Sequence, residues 1–246
     1  MKKLVCAAAL LALIAGIPST VAAKGMQDEV DQAAVVIDRF TTMPENGIPE
    51  AVLRDAKGLA ILTVLKAGFI FSGEGGWGVV VARTDHGWSG PSAIGTGGVG
   101  FGFQIGGQVT EFVIVLNTPE AVDAFARDAN IKLGADLSVA AGPVGRDLAA
   151  GVMPMAAVYT YSRTQGLFAG VSLEGTIIAT RDGANEKYYG RAVTSKDILS
   201  GNVTPPRGAD KLLRALAHEP AQRVAAAKHR DVAVQRKTTT TAAEDR

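Results

Sequence analysis

Cysteine is almost missing from this sequence. The one thiol, Cys6, lies inside an N-terminal apolar run. Once that run is removed, the chain has no disulfide and no thiolate chemistry. Histidine is nearly as scarce: His86, His218 and His229 are the three present, two of them near the C-terminus. A single histidine in the body, without cysteine, makes a poor zinc site. A Ser-His-Asp triad would have to use His86, which sits in the turn sequence Thr84-Asp85-His86-Gly87. Gly170-Val171-Ser172-Leu173-Glu174-Gly175 lacks the spacing of a nucleophile elbow. Glu74 and Glu111 are candidates for a carboxylate pair, but nothing in the sequence places them together. Neither catalysis nor a metal or other cofactor is expected. Beyond the N-terminus no apolar run reaches the ~18 residues of a membrane-spanning helix. The net charge of +1 argues against a general nucleic-acid binder.

The N-terminus reads as an export signal. Met1-Lys2-Lys3 is basic, Leu4 to Ile17 is apolar, Pro18-Ser19-Thr20 breaks the run, and Val21-Ala22-Ala23 offers small residues for cleavage. Three regions are expected: a signal peptide over 1–23, a globular domain over 24–206, and a basic tail over 207–246. The implied location is the periplasm or outer envelope, or outside the cell. Residues 24–206 hold 14 basic and 19 acidic side chains, net −5, whereas 207–246 hold 9 and 5, net +4. From Arg223 onward the tail is polar, basic and Thr-rich, with no apolar periodicity past Val234, as in disordered or loosely attached segments.

The body changes period along its length. Val30, Ala33, Ala34, Ile37 and Phe40 share a helical face, predicting a helix over 26–40, and Pro49 to Ala56 predicts a second. From Gly58 onward, short apolar or alternating runs are separated by glycine and turn residues. Strands are expected at 59–65, 78–83, 88–94, 109–116 and 137–141, and a hairpin over 156–180 turning at Thr164-Gln165-Gly166. Thr118-Pro119-Glu120 starts a helix expected to reach about Asn130. Asp182-Gly183-Ala184-Asn185 reads as a turn. Ser195 to Leu199 reads as a short helix stopped by Gly201, and Asp210 to His218 as one more. The fold class is α+β: a β-rich antiparallel sheet or barrel-like body with N-terminal helices and one helix near 119–130.

Glycine is abundant where it matters most, with fourteen between residues 68 and 107. Gly95-Thr96-Gly97-Gly98-Val99-Gly100 matches the dinucleotide-binding spacing, but Phe101-Gly102-Phe103-Gln104-Ile105 follows with period two. A strand, not a helix, comes next, so the phosphate-binding context is missing. Gly98, Gly100 and Gly102 fall on one face of that strand and Val99, Phe101, Phe103 and Ile105 on the other. A bare face admits another backbone, a helix or a ligand at close range. A tightly curved barrel corner is the simpler use.

The strings Lys57-Gly58-Leu59-Ala60-Ile61-Leu62 and Lys66-Ala67-Gly68-Phe69 resemble the opening of the SYLF domain. Gly78-Val79-Val80-Val81-Ala82-Arg83, Pro91-Ser92-Ala93-Ile94-Gly95, Leu137-Ser138-Val139-Ala140-Ala141-Gly142-Pro143, Gly166-Leu167-Phe168-Ala169-Gly170 and Lys196-Asp197-Ile198-Leu199-Ser200-Gly201 extend the likeness over about 28–206. The resemblance implies binding to phospholipid, phosphoinositides above all, and in some fungal members binding and bundling of actin filaments. In the family, lipid binding is attributed to a basic amphipathic N-terminal helix. Here residues 26–40 carry Asp28, Glu29, Asp31 and Asp38 against Arg39. The leading expectation is an exported, membrane-associated lipid binder, with a filament or other protein as the alternative partner. Lys57, Lys66 and Arg83 would supply charge to headgroups, and Phe69, Ile70, Phe71, Trp77 and Trp88 apolar contact.

Overall fold

The computed structural model describes residues 25–43, 47–127, 130–144, 156–166 and 177–217; at 68–72, 99–105 and 166 it describes the backbone path alone. Residues 1–23, where an export signal is expected, and the chain beyond Ala217 lie outside the described residues.

Helix α1 (Met26–Thr42) follows the predicted spacing: Val30, Ala33, Ala34, Ile37 and Phe40 are all buried, joined by Val36. Helix α2 (Glu50–Asp55) begins after Pro49 and buries Val52. A long antiparallel pair follows. Strand β1 (Gly58–Thr84) turns through the two-residue β2 (Gly87–Trp88) into β3 (Ser92–Leu116). Their register runs from Gly58 opposite Leu116 to Val80 opposite Ser92, with a shift between Phe69 and Phe71.

Alternation along these strands gives the sheet two apolar faces. Leu59, Ile61, Val79, Val81, Val113 and Val115 face one core, closed by α1. Ala60, Leu62, Val80, Ile94, Phe112 and Ile114 face the other. Phe125 of helix α3 (Pro119–Ala126) and Leu199 close this second core. The pair also curls back on itself. A Cβ at Gly78 would lie 1.9 Å from the Ile61 carbonyl oxygen, and one at Gly76 would lie 2.8 Å from Val64 Cγ2. The Arg83 amide donates to the Lys57 carbonyl at 2.7 Å, closing the end of β1 onto its start. The glycine-rich stretch therefore builds a curved corner of a half-barrel, and β3 runs straight through the G-x-G-x-x-G match.

The outer edge of β3 corrects one expectation. Thr164-Gln165-Gly166 is not a hairpin turn: it lies within β6 (Val158–Gly166), opposite Thr110, Val109 and Gln108. Strand β7 (Ile177–Thr180) pairs with β3 and with β4 (Ile131–Lys132), not with β6. Twelve residues separate Gly166 from Ile178, and twelve separate their partners Gln108 and Thr96, so β6 and β7 follow β3 in one register. Strand β5 (Val139–Ala141) adds to β6 in parallel, giving a seven-stranded sheet among the described residues.

The helices bring further corrections. Helix α3 ends at Ala126, because Arg127 is extended and the chain turns toward β4. Asp182 to Asn185 is not a free turn but the first turn of α4 (Asp182–Tyr189). Buried Asn185 anchors that turn by accepting from the Ala93 amide at 2.7 Å, and Gly190 ends the helix at φ +67°. Helix α5 (Ser195–Leu199) carries a Thr194–Asp197 capping box and stops at Gly201, φ +79°. The body then continues past Pro206. A short 3-10 turn, Arg207–Ala209, leads into α6 (Asp210–Ala217), whose Leu212 and Ala215 join the first core.

Candidate interaction site

The turn predicted at Thr84 to Gly87 sets up the most distinctive surface. Thr84 Oγ1 donates to the Gly87 carbonyl at 3.0 Å, and Gly87 takes φ +111°, a conformation that glycine adopts without strain. This places Arg83 directly opposite Trp88. The Arg83 guanidinium lies 4.0 Å from the centre of the Trp88 ring, a cation–π contact. Beyond the turn, buried Ser89 fixes the strand exit, its hydroxyl accepting from the Ala82 amide at 2.9 Å.

A cavity of about 230 Å³ opens beside this pair. Ile37 and Thr41 of α1, Leu53 of α2 and Leu216 of α6 wall it together with Arg83 and Trp88. Arg83 Nη2 donates to the Leu53 carbonyl at 3.2 Å. Burial holds the guanidinium below its ordinary pKa. Among the described residues Arg83 has no carboxylate partner, and the buried Trp88 Nε1 has no acceptor.

Of the eight residues expected to meet a ligand, Lys57, Arg83 and Trp88 converge at this corner. Lys57 is exposed and joined to Arg83 through the backbone. Lys66, half-buried, lies nine residues farther along β1, about 30 Å by strand path. Trp77, half-buried, sits opposite Gly95. For Phe69, Ile70 and Phe71 the backbone places the three at the register shift of β1. The eight therefore do not form one patch. The helix expected over 210–218 was placed in the tail beyond 206, so its part in this wall was not foreseen. The apolar spacing of Leu212, Leu213, Ala215 and Leu216 was the available signal.

Among the described residues, the two carboxylates most withdrawn from solvent tie α1 to the sheet. Glu29, its side chain 2% exposed, accepts from Arg181 Nη1 at 2.7 and 2.8 Å. Burial pushes its carboxyl above the ordinary value, and Arg181 pulls it only part of the way back. Glu111 accepts from Arg39 and, at 3.3 Å, from Gln32, with Arg163 at 3.7 Å. Glu111 is thus neutralised by arginine and lies opposite Thr63, whereas Glu74 lies opposite Gly98; they are not a pair. His86 is exposed in its turn. No three His, Cys, Asp or Glu side chains converge as metal ligands among the described residues.

A family model described as "Ysc84: Las17-binding protein actin regulator" matches residues 97–219, which take in most of β3 and everything after it through α6. The chain belongs to this Ysc84, or SYLF, family. It is 49% identical over 201 residues to the SH3 domain-containing protein PJ696.02 of Schizosaccharomyces pombe, covering 78% of this chain and 47% of that one. It is 46% identical over 203 residues to LAS seventeen-binding protein 3 of Saccharomyces cerevisiae, covering 78% and 44%. It is 46% identical over 199 residues to the human SH3 domain-containing YSC84-like protein 1, covering 78% and 58%. The chain spans about half the length of these curated relatives.

Proposed function

We propose that this chain is a non-catalytic binding module whose partner is a protein of the actin-regulatory kind, a filament or a Las17-type regulator. The observation that carries this reading is the likeness to the yeast protein named for LAS seventeen binding, which extends over 203 residues. The chemistry of the body agrees: its two most withdrawn carboxylates serve as ion-paired ties for α1. The alternative weighed from the sequence, a protein partner, therefore takes precedence over a lipid surface.

The phospholipid reading comes second for a physical reason. A helix that enters a headgroup layer presents its apolar face to lipid and basic residues to the anionic surface. The apolar face of α1 is spent on the sheet, and Asp28, Asp31 and Asp38 lie on the remainder. Export, proposed from residues 1–23, would have the partner met in the periplasm, at the outer envelope or outside the cell.

Co-sedimentation decides between the two. The protein is spun with preformed actin filaments, and separately with phosphatidylcholine vesicles with and without phosphatidylinositol bisphosphate. Pelleting with filaments is expected. Pelleting with phosphoinositide vesicles alone would return the reading to lipid, and pelleting with neither would reject both the filament and the lipid surface as partners.

A further inference from the structure

The cavity beside Arg83 and Trp88 has donors without acceptors. A guanidinium offers five N–H groups; here one bond is made, to the Leu53 carbonyl. The rest have no partner among the described residues, and the buried Trp88 indole N–H has none either. Arg83 is exposed, so water meets the guanidinium donors until a partner replaces it. Stacking on Trp88 fixes the plane of the guanidinium. Ile37, Leu53 and Leu216 give the walls an apolar stretch, and the charged Glu50 and Arg54 line the cavity as well. Its volume of about 230 Å³ falls below the ~300 Å³ at which small-molecule sites begin, and suits one side chain with its neighbour.

Resting on the protein-binding reading above, we propose that this corner receives an acidic side chain from an apolar–acidic peptide segment of the partner: the carboxylate on the Arg83 guanidinium, the adjoining apolar side chain against Leu53 and Leu216. Charge complementarity selects the carboxylate, since the guanidinium forks onto both oxygens of an acid. Concavity selects a peptide over a bilayer, because α1, α2 and α6 wall the cavity. Glu50 makes no ion pair with Arg83 among the described residues and leaves the donors open.

The test follows the Trp88 indole N–H resonance by ¹⁵N NMR, assigned with Trp77→Phe, since the chain has two tryptophans. The probes are the peptides acetyl-Ala-Leu-Asp-amide and acetyl-Ala-Leu-Asn-amide. The Asp peptide is expected to shift the resonance saturably, at least tenfold more tightly than the Asn peptide. Arg83→Gln is expected to remove the difference. Should that variant unfold, Arg83→Lys keeps a charge, loses the fork, and is expected to bind several-fold more weakly. No saturable shift with the Asp peptide, or equal shifts with both peptides, overturns the proposal. So does a Trp88 response to phosphatidylserine vesicles without one to the peptide. Filament co-sedimentation, run in parallel, separates the two levels. Pelleting without a peptide shift rejects the corner and leaves the function standing. A peptide shift without pelleting does the reverse.

Discussion

Glu29 shows how one residue can serve position at the expense of stability. It sits in the first turn of α1, where the helix dipole favours an anion, yet burial dominates and its carboxyl is raised despite Arg181. The folded protein therefore binds this proton more readily than the unfolded chain does. Between the ordinary value of 4.5 and the raised one, stability falls as pH rises. Glu29→Gln should flatten that slope, visible as a smaller change in Tm between pH 4 and pH 6.5. Removing the other partner is worse. Arg181→Ala strands a buried carboxylate, and breaking such pairs costs about 3 kcal/mol, while Glu29→Gln leaves only a third-exposed arginine behind and should cost ~1 kcal/mol or less. Urea unfolding at pH 7 compares the two, and equal losses would contradict the argument. Glycine supplies a second test. Gly78→Ala drives a Cβ into the Ile61 carbonyl, whereas Gly75→Ala meets nothing within 4 Å. The first should lower stability by at least ~2 kcal/mol, through overpacking that backbone cannot relieve; the second should stay within about 0.5 kcal/mol. Thermal melting of both variants checks this.

At the scale of elements, α6 decides where the body ends. Leu212 is fully buried against α1 and the first core. Leu212→Ala should therefore cost ~2–5 kcal/mol, read by chemical denaturation, and a loss under 1 kcal/mol would show that α6 is only loosely attached. Local signals made several elements legible in advance. The five apolar positions of α1 recur at helical spacing; Thr118 with Pro119 marks a helix start, and Thr118 Oγ1 accepts from the Ala121 amide at 3.2 Å. Gly201 marks a helix stop. What escaped was set by distant contacts. Thr164-Gln165-Gly166 has turn-like composition, but β3 offers an unpaired edge there, and Thr164 meets Thr110 across it at 3.1 Å between hydroxyl oxygens. Asp182 to Asn185 looks like a turn until Asn185 is seen holding the Ala93 amide, ninety-two residues away. The candidate site was half legible: Arg83 and Trp88 flank a readable turn, so their meeting followed from strand pairing. Leu53 and Leu216 come from elements whose positions no short-range pattern specifies.

Considered whole, the molecule is one curled sheet with a separate core on each side. Along β1 and β3, neighbouring residues alternate between the two: Ile61 faces α1, and Ile114 faces α3. The backbone between them is shared, so neither core can form while the other face of the strands lies open to water. Independent packing with common backbone makes a specific energetic prediction. Ile61→Val and Ile114→Val should each cost about 0.5–1.5 kcal/mol. Because the two side chains belong to different cores, the double variant should lose the sum to within ~0.5 kcal/mol. Because the strands are common, each variant should still unfold in one cooperative transition. Urea titrations followed by tryptophan fluorescence and by circular dichroism check both parts. Coincident curves with additive midpoints are expected; a second transition appearing in either single variant would show that the helix-covered faces unfold as separate units.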